Sequence, residues 1–262
     1  MKKFAITAGK GIAAIAFWVA VWFIIAKIID VELIVPTPYD VLISFFNIVI
    51  THEFWISTSF SFFRVICGVT VSFVIGCGAA YLIWRSKIMN TLLSPLLSII
   101  KATPVASFII IAWIWFDTSL LPVFIASLIV IPIVISNVVQ GISGVDKDLI
   151  EVARLYKFSV WKKLVKLYIP SIAPYFLAAC RSSLGMAWKA SVAAEMIVLS
   201  QNSIGKEIYN TKLYSMEAAP VFAWTIVVII LSIVIEKALI ALINILGRSF
   251  KLLPKGEGHA EN

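Results

Sequence analysis

The chain has 262 residues, 61% of them apolar and only 14% charged, with a formal net charge of +8 and a mean hydropathy of +1.01. A water-soluble domain is about half apolar and about a quarter charged, so this composition excludes one and makes lipid the solvent for most of the chain. The positive charge reports topology before it reports a polyanion, because Lys and Arg beside a span stay cytoplasmic; membrane lipid is the expected partner and nucleic acid is not.

A spanning helix needs about 20 mostly apolar residues. Six segments qualify, at about 11–29, 60–84, 91–116, 119–142, 171–199 and 218–246. They predict an all-α membrane protein of about six transmembrane helices: one transmembrane domain over 11–246, with termini 1–10 and 247–262 outside the bilayer. The run from Ile12 could be a secretory signal, but it continues through Trp18, Trp22 and Phe23 with no small-residue cleavage pattern before Asp30, which favours a first span. Lys2, Lys3, Lys10, Arg85, Lys87, the basic residues of the loop 143–170, and Arg248, Lys251 and Lys255 fall on one side of the six-span model. The opposite loops hold only Lys206 and Lys212 among several acids. Both termini are therefore predicted cytoplasmic.

After span one, Val35-Pro36-Thr37-Pro38 breaks any helix, and Val41–Ile50 is too short to cross, which predicts an external interfacial helix. Lys27 and Arg64 lie near outer ends of spans, where long side chains snorkel to water. In span two, Gly68, Gly76 and Gly78 are positioned to let another helix approach closely. Cys67, Cys77 and Cys180 all fall within spans and read as small packing residues. Span three carries Lys101-Ala102-Thr103-Pro104, where Pro104 predicts a kink facing protein or water, a candidate lining for a solute path with Lys101 beside it.

The long cytoplasmic loop 143–170 differs from the rest. Asp146 or Asp148 can cap a helix, and Leu149, Ile150, Val152, Ala153, Tyr156 and Val160 recur at helical spacing. A second short helix over Leu164–Tyr168 is predicted to end before Pro170. Such an amphipathic hairpin suits either a docking element for a cytoplasmic partner or a helix lying on lipid headgroups.

Intramembrane charges are costly and default to functional hypotheses. In span five, Arg181, Trp188 and Glu195 fall within about 40° of one another on a helical wheel, with Gly185 beside them and Lys189 on the flank. Arg181 and Glu195 are about 21 Å apart along a helix and must find separate partners. Lys189, near mid-membrane, is either a charge for an anionic group on a solute, with Trp188 as a flat wall, or half of an interhelical ion pair. Lys101 is a weaker candidate of the same kind. Other classes remain to be weighed. An ion-driven secondary carrier would use Glu195 and Lys189 as a proton relay. An intramembrane enzyme has little support, since His52 and His259 are the only histidines and fall outside the predicted spans.

The loop resembles the binding-protein-dependent ABC importer permeases, whose signature has Glu-Ala-Ala, a Gly four residues after the second Ala, and Ile-x-Leu-Pro ten residues beyond. Here Glu151-Val152-Ala153-Arg154-Leu155-Tyr156-Lys157 and Leu167-Tyr168-Ile169-Pro170 keep the spacing, with Lys157 in place of Gly. Ile34-Val35-Pro36-Thr37-Pro38, Lys101-Ala102-Thr103-Pro104, Trp115-Phe116-Asp117 and Ala187-Trp188 with Ala194-Glu195-Met196-Ile197 are similar to the nitrate, sulfonate, taurine and bicarbonate branch. The resemblance implies a type I ABC importer permease fold with a coupling-helix loop at 143–170 in a bacterial inner membrane. It implies a translocation path for a small polar, anionic or zwitterionic solute, such as a sulfonate, nitrate or a pyrimidine precursor. It also implies a homodimer with two ATP-binding subunits and an extracytoplasmic substrate-binding protein. Glu151 would anchor the contact with the ATPase and Ala153 would allow close packing, with Val152, Tyr156, Lys157 and Pro170 around them. No phosphate-cradling Gly-x-x-x-x-Gly-Lys-Ser/Thr occurs, so the chain itself is expected to have no enzymatic activity and no cofactor, ATP and Mg being bound by the partner subunits. Lys157 departs from the pattern, since Gly permits a tight bend that Lys resists.

Overall fold

The computed structural model describes residues 2–214 and 217–249, and all regular elements among them are helical. Most of the expected tail 247–262, with His259, lies outside the described residues. Helix α1 (Lys2–Ile29) already begins within the expected N-terminal segment 1–10. Helix α2 (Pro38–Val49), which coincides with the expected interfacial segment, starts at a capping box: Asp40 N–H donates to Thr37 Oγ1 and Thr37 N–H to Asp40 Oδ2, both at 3.3 Å. Pro38 supplies the preset φ of a first helical residue. Helix α1 is fastened by Trp22, whose Nε1 donates to Pro36 O at 3.1 Å and whose ring stacks on Phe222. Its apolar segment Gly11–Ile29 is otherwise almost wholly exposed.

Helix α3 (His52–Arg85) runs parallel to α6 (Leu121–Ser143), Gly68 meeting Ala126 and Gly76 meeting Val134, over a close contact made by small residues. A Cβ at Gly68 would stand 2.8 Å from Ala126 Cβ, and one at Gly76 2.8 Å from Val134 Cγ1, so neither position admits a side chain without displacing backbone. Gly78 has nothing within 4 Å, and the expectation that it too serves close approach is corrected: it lies on the exposed side of the helix. Because the backbones are so near, Ser127 Oγ reaches across to Gly68 O at 3.0 Å and Ser72 Oγ to Ser127 O at 3.2 Å.

The predicted third span is not a kinked helix. It is broken into α4 (Lys87–Ala102) and α5 (Val105–Ala112), which are bent by 105°. Pro104 has no N–H to continue the ladder, and its ring drives Thr103 to φ −81°, ψ 134°. Thr103 Oγ1 donates back to Ile99 O at 2.8 Å.

Beyond α6 come α7 (Lys147–Leu155), α8 (Val160–Lys163) and a π-helical turn over Leu164–Tyr168 that runs directly into α9 (Ile169–Val198). Pro170 therefore does not end the hairpin, as the sequence suggested. The wider turn, with Ile169 N–H on Leu164 O, accommodates a residue that lacks a donor, and Pro170 becomes an early residue of a helix 30 residues long. Helices α10 (Ile204–Tyr214) and α11 (Ala218–Ser249) follow.

Four helices, α1, α3, α6 and α11, are long and apolar enough to span a bilayer, and the bent pair α4–α5 makes a fifth candidate. Helix α9 is about 45 Å long at 1.5 Å per residue, but its serines together with Arg181, Lys189 and Glu195 lower its apolarity. The expected six spans are thus four plain apolar helices, one broken element and one polar helix. The main core lies among α3, α6, α9 and α11, around Val65, Val130, Val134, Leu184, Trp188, Trp224 and Val227.

Candidate functional site

The loop 143–170 folds around a small core of its own: Val145, Ala153 and Leu167, flanked by Ile150, Phe158 and Tyr168. Asp146 caps α7, its Oδ1 accepting from Asp148 N–H at 2.9 Å, and Ser159 caps α8, its Oγ accepting from Lys162 N–H at 3.3 Å. Between them the chain reverses through a Schellman motif. Phe158 N–H donates to Ala153 O and Lys157 N–H to Arg154 O, both at 3.0 Å, and Lys157 takes φ +49°. The bend that a Gly would make freely is thus kept with Lys157 in the left-handed region. The apolar contact between Phe158 and Ala153 closes the motif, and Lys162 Nζ sits 4.2 Å from the Phe158 ring centroid.

This packing sorts the signature residues. Ala153 is buried in the hairpin's own core, so its small side chain serves the turn beneath the surface, not an outer contact as the resemblance implied. Glu151, Val152, Tyr156 and Lys157 are exposed and Pro170 is half-buried. On the same hairpin as Glu151, Leu155, Tyr156, Val160 and Trp161 are each more than 70% exposed. Four large apolar side chains held out by a capped and cored scaffold form a surface that needs covering. At its base, Tyr168 packs edge-on against Trp84 at the C-terminal end of α3, tying the hairpin to the bundle.

The residues singled out on α9 do not share one environment. Trp188 is fully buried and donates Nε1–H to Val228 O of α11 at 3.1 Å, which makes it a packing residue there and not a wall open to a solute. Glu195 is also fully buried, whereas Arg181 and Lys189 are exposed and have no hydrogen-bond or ion-pair partner among the described residues. The stripe is split because α11 covers α9 at Trp188, while α3 and the segment after Val198 cover it at Glu195. Lys101 Nζ donates to Ser136 Oγ of α6 at 3.0 Å, bridging the end of α4 to α6, and Pro104 is exposed at the break.

Glu195 is fastened by a network the sequence did not announce. Arg64 Nη1 donates to its Oε1 at 3.1 Å, Ser61 Oγ to its Oε2 at 2.8 Å and Gly205 N–H to its Oε2 at 3.4 Å. The guanidinium also donates to Gln201 O at 2.7 Å and Asn202 O at 3.3 Å. Arg64 is therefore buried in an ion pair, and the expectation that it snorkels is overturned. Leu199 and Asn202 take positive φ to turn the chain, and Gly205 allows the start of α10 to touch the end of α9: a Cβ there would lie 2.4 Å from Met196 N. The one available signal was depth, since Arg64 and Glu195 each stand four residues from the outer end of a predicted span. A relay between Glu195 and Lys189 is not supported, because Glu195 is committed to Arg64 and Lys189 is exposed.

A second intramembrane carboxylate, Glu236 of α11, also escaped the sequence reading. It is half-buried beside Gly185, where a Cβ would stand 3.7 Å from Glu236 Oε2 and 4.0 Å from Ser232 Oγ.

Comparison with known proteins shows what this architecture serves. Residues 72–244 match the family described as binding-protein-dependent transport system inner membrane component. The chain is 29% identical over 221 residues to SsuC of Bacillus subtilis (strain 168), named as an aliphatic sulfonates transport permease protein, covering 83% of this chain and 79% of that one. It is 26% identical over 197 residues to the nitrate import permease protein NrtB of Synechococcus elongatus, covering 71% and 70%. Likeness to the bicarbonate transport system permease protein CmpB of the same organism is 29% over 161 residues, 60% of this chain and 56% of that protein. A crystal structure of an amino acid ABC transporter matches the fold with a TM-score of 0.57 at 16% identity, over 72% of this chain and 90% of the other. The family couples transport to separate ATP-binding and substrate-binding partners, which sets aside the ion-driven carrier. With its all-helical bundle and exposed hairpin of signature spacing, the chain belongs to the binding-protein-dependent inner-membrane components, the multi-pass permeases of ABC importers.

Proposed function

We propose that the chain is the permease half of a symmetric importer: two copies, two ATP-binding subunits and an extracytoplasmic binding protein moving a small polar anion or zwitterion into a bacterial cell. Both termini are cytoplasmic in this reading, following the charge asymmetry of the loops. The hairpin seats in a cleft of the ATP-binding subunit, and the chain itself hydrolyses nothing, ATP and Mg being held by its partners. The observation that carries the proposal is the exposure of Leu155, Tyr156, Val160 and Trp161 on the hairpin that bears the exposed Glu151. A scaffold this well capped, with its apolar side chains turned outward, is built for a protein cleft.

The solute class rests on similarity to relatives named for sulfonates, nitrate and bicarbonate and on Lys189 and Arg181, exposed cations of α9 without a partner among the described residues. Co-purification tests the coupling directly. The tagged chain in mild detergent carries an ATPase subunit with it, and Glu151→Lys strips that subunit away. A wild-type chain purified from its native membrane without any ATPase would sink the proposal. Lys189→Met, which removes charge and keeps length, is expected to abolish solute uptake while the complex still assembles; uptake at the wild-type rate would remove Lys189 from the path.

A further inference from the structure

Helices α9 and α11 meet at Gly185, and three charged residues near that contact, Glu236, Arg181 and Lys189, make no ion pair with one another. Glu236 and Ser232, one turn apart on α11, present Oε2 and Oγ to the open side of Gly185. Arg181 and Lys189 stand one turn to either side of Gly185 on α9, about 6 Å away in Cβ position. Both are exposed, and neither they nor Glu236 has a hydrogen-bond or ion-pair partner among the described residues. Within a membrane, ionised groups pair or face water, and those left unpaired mark solute pathways. This cluster contrasts with Arg64 and Glu195, which saturate one another in the same molecule.

We infer that the α9–α11 groove at Gly185 is a mixed-charge subsite for a zwitterionic solute: Glu236 takes an ammonium group, Ser232 donates to the bound solute, and Lys189 or Arg181 takes its sulfonate or carboxylate. This inference rests on the reading that the chain carries a small polar solute and narrows its class. A path selective for simple anions would have no use for a carboxylate between two cations, since it opposes the charge being carried. Gly185 keeps the groove open where a larger side chain would fill it.

The test uses the purified complex of the chain with its ATP-binding subunits, titrated with 2-aminoethanesulfonate and with ethanesulfonate, which lacks the amine. The wild type is expected to bind the zwitterion about tenfold more tightly or better, the worth of one charge-assisted hydrogen bond. Glu236→Gln should erase that preference and leave ethanesulfonate binding unchanged, and Lys189→Gln should weaken both probes. A preference that survives Glu236→Gln overturns the subsite. So does equal loss of both probes in Glu236→Gln with recovery in Arg181→Gln/Glu236→Gln, which would make the pair a structural bridge. If the wild type binds ethanesulfonate as well as the zwitterion, the solute reading stands and the subsite falls. If it binds neither, both fall together.

Discussion

Glu195 has no exposed surface, and three donors from two elements converge on its carboxylate. Removing that charge leaves the Arg64 guanidinium buried with only two backbone carbonyls to satisfy it. Breaking one side of a buried ion pair costs about 3–5 kcal/mol, so Glu195→Ala is expected to lower the thermal midpoint of the purified protein strongly. Arg64→Met/Glu195→Leu should be milder than the sum of the single variants, since neither leaves an orphan charge; a double-mutant cycle in detergent measures it, and strict additivity would show that the pair does not couple. Gly205→Ala acts on the same knot by crowding, because its Cβ would overlap Met196 N and Glu195 Cβ. Loss of about 1–3 kcal/mol or more follows from the forced shift, and an unchanged midpoint would contradict the close approach of α9 and α10.

At the scale of the element, the hairpin depends on one residue in a costly conformation. Left-handed backbone costs a non-glycine residue about 1–2 kcal/mol, and Lys157 bears that cost to complete the Schellman turn. Lys157→Gly should therefore stabilise the hairpin by about 1 kcal/mol and slow its proteolysis, and Lys157→Val should do the reverse. If the two variants are cut at the same rate, the turn is not under this strain. Asp146→Ala removes the cap of α7 and should weaken the hairpin by about 1 kcal/mol, read in the same assay. The spacing of the signature was legible because it is a local pattern. Its inside-outside assignment was not, because burial of Ala153 depends on Leu167 and Val145, which are brought to it by the turn and by the end of α6.

Across the whole molecule, the exposed surfaces of α1, of the broken pair α4–α5 and of the Arg181–Lys189 side of α9 call for different covers. Lipid suits the first, which is apolar along its length. The break at Thr103-Pro104 and the cations of α9 that are unpaired among the described residues suit a water-bearing interior, as between the two copies of the proposed importer. Chemical crosslinking in native membranes is expected to trap a dimer of this chain with its ATPase partners, and recovery of monomers alone would count against a symmetric importer. The contact of Glu236 with Gly185 lies beside the core built on Trp188 and Trp224, and in the proposed two-copy importer it would face the interior.

Composition and segment hydropathy alone established a helical membrane protein, located most of its helices and placed the hairpin between the fourth and fifth expected spans, because apolar length and turn chemistry are local properties of the chain. The pairing of Arg64 with Glu195, the closeness of Glu236 to Gly185, the burial of Trp188 and the sharpness of the break at Pro104 were decided only by tertiary structure. Each depends on which face of one helix another covers, and a helical wheel gives the angle of a residue but not the neighbour that waits there.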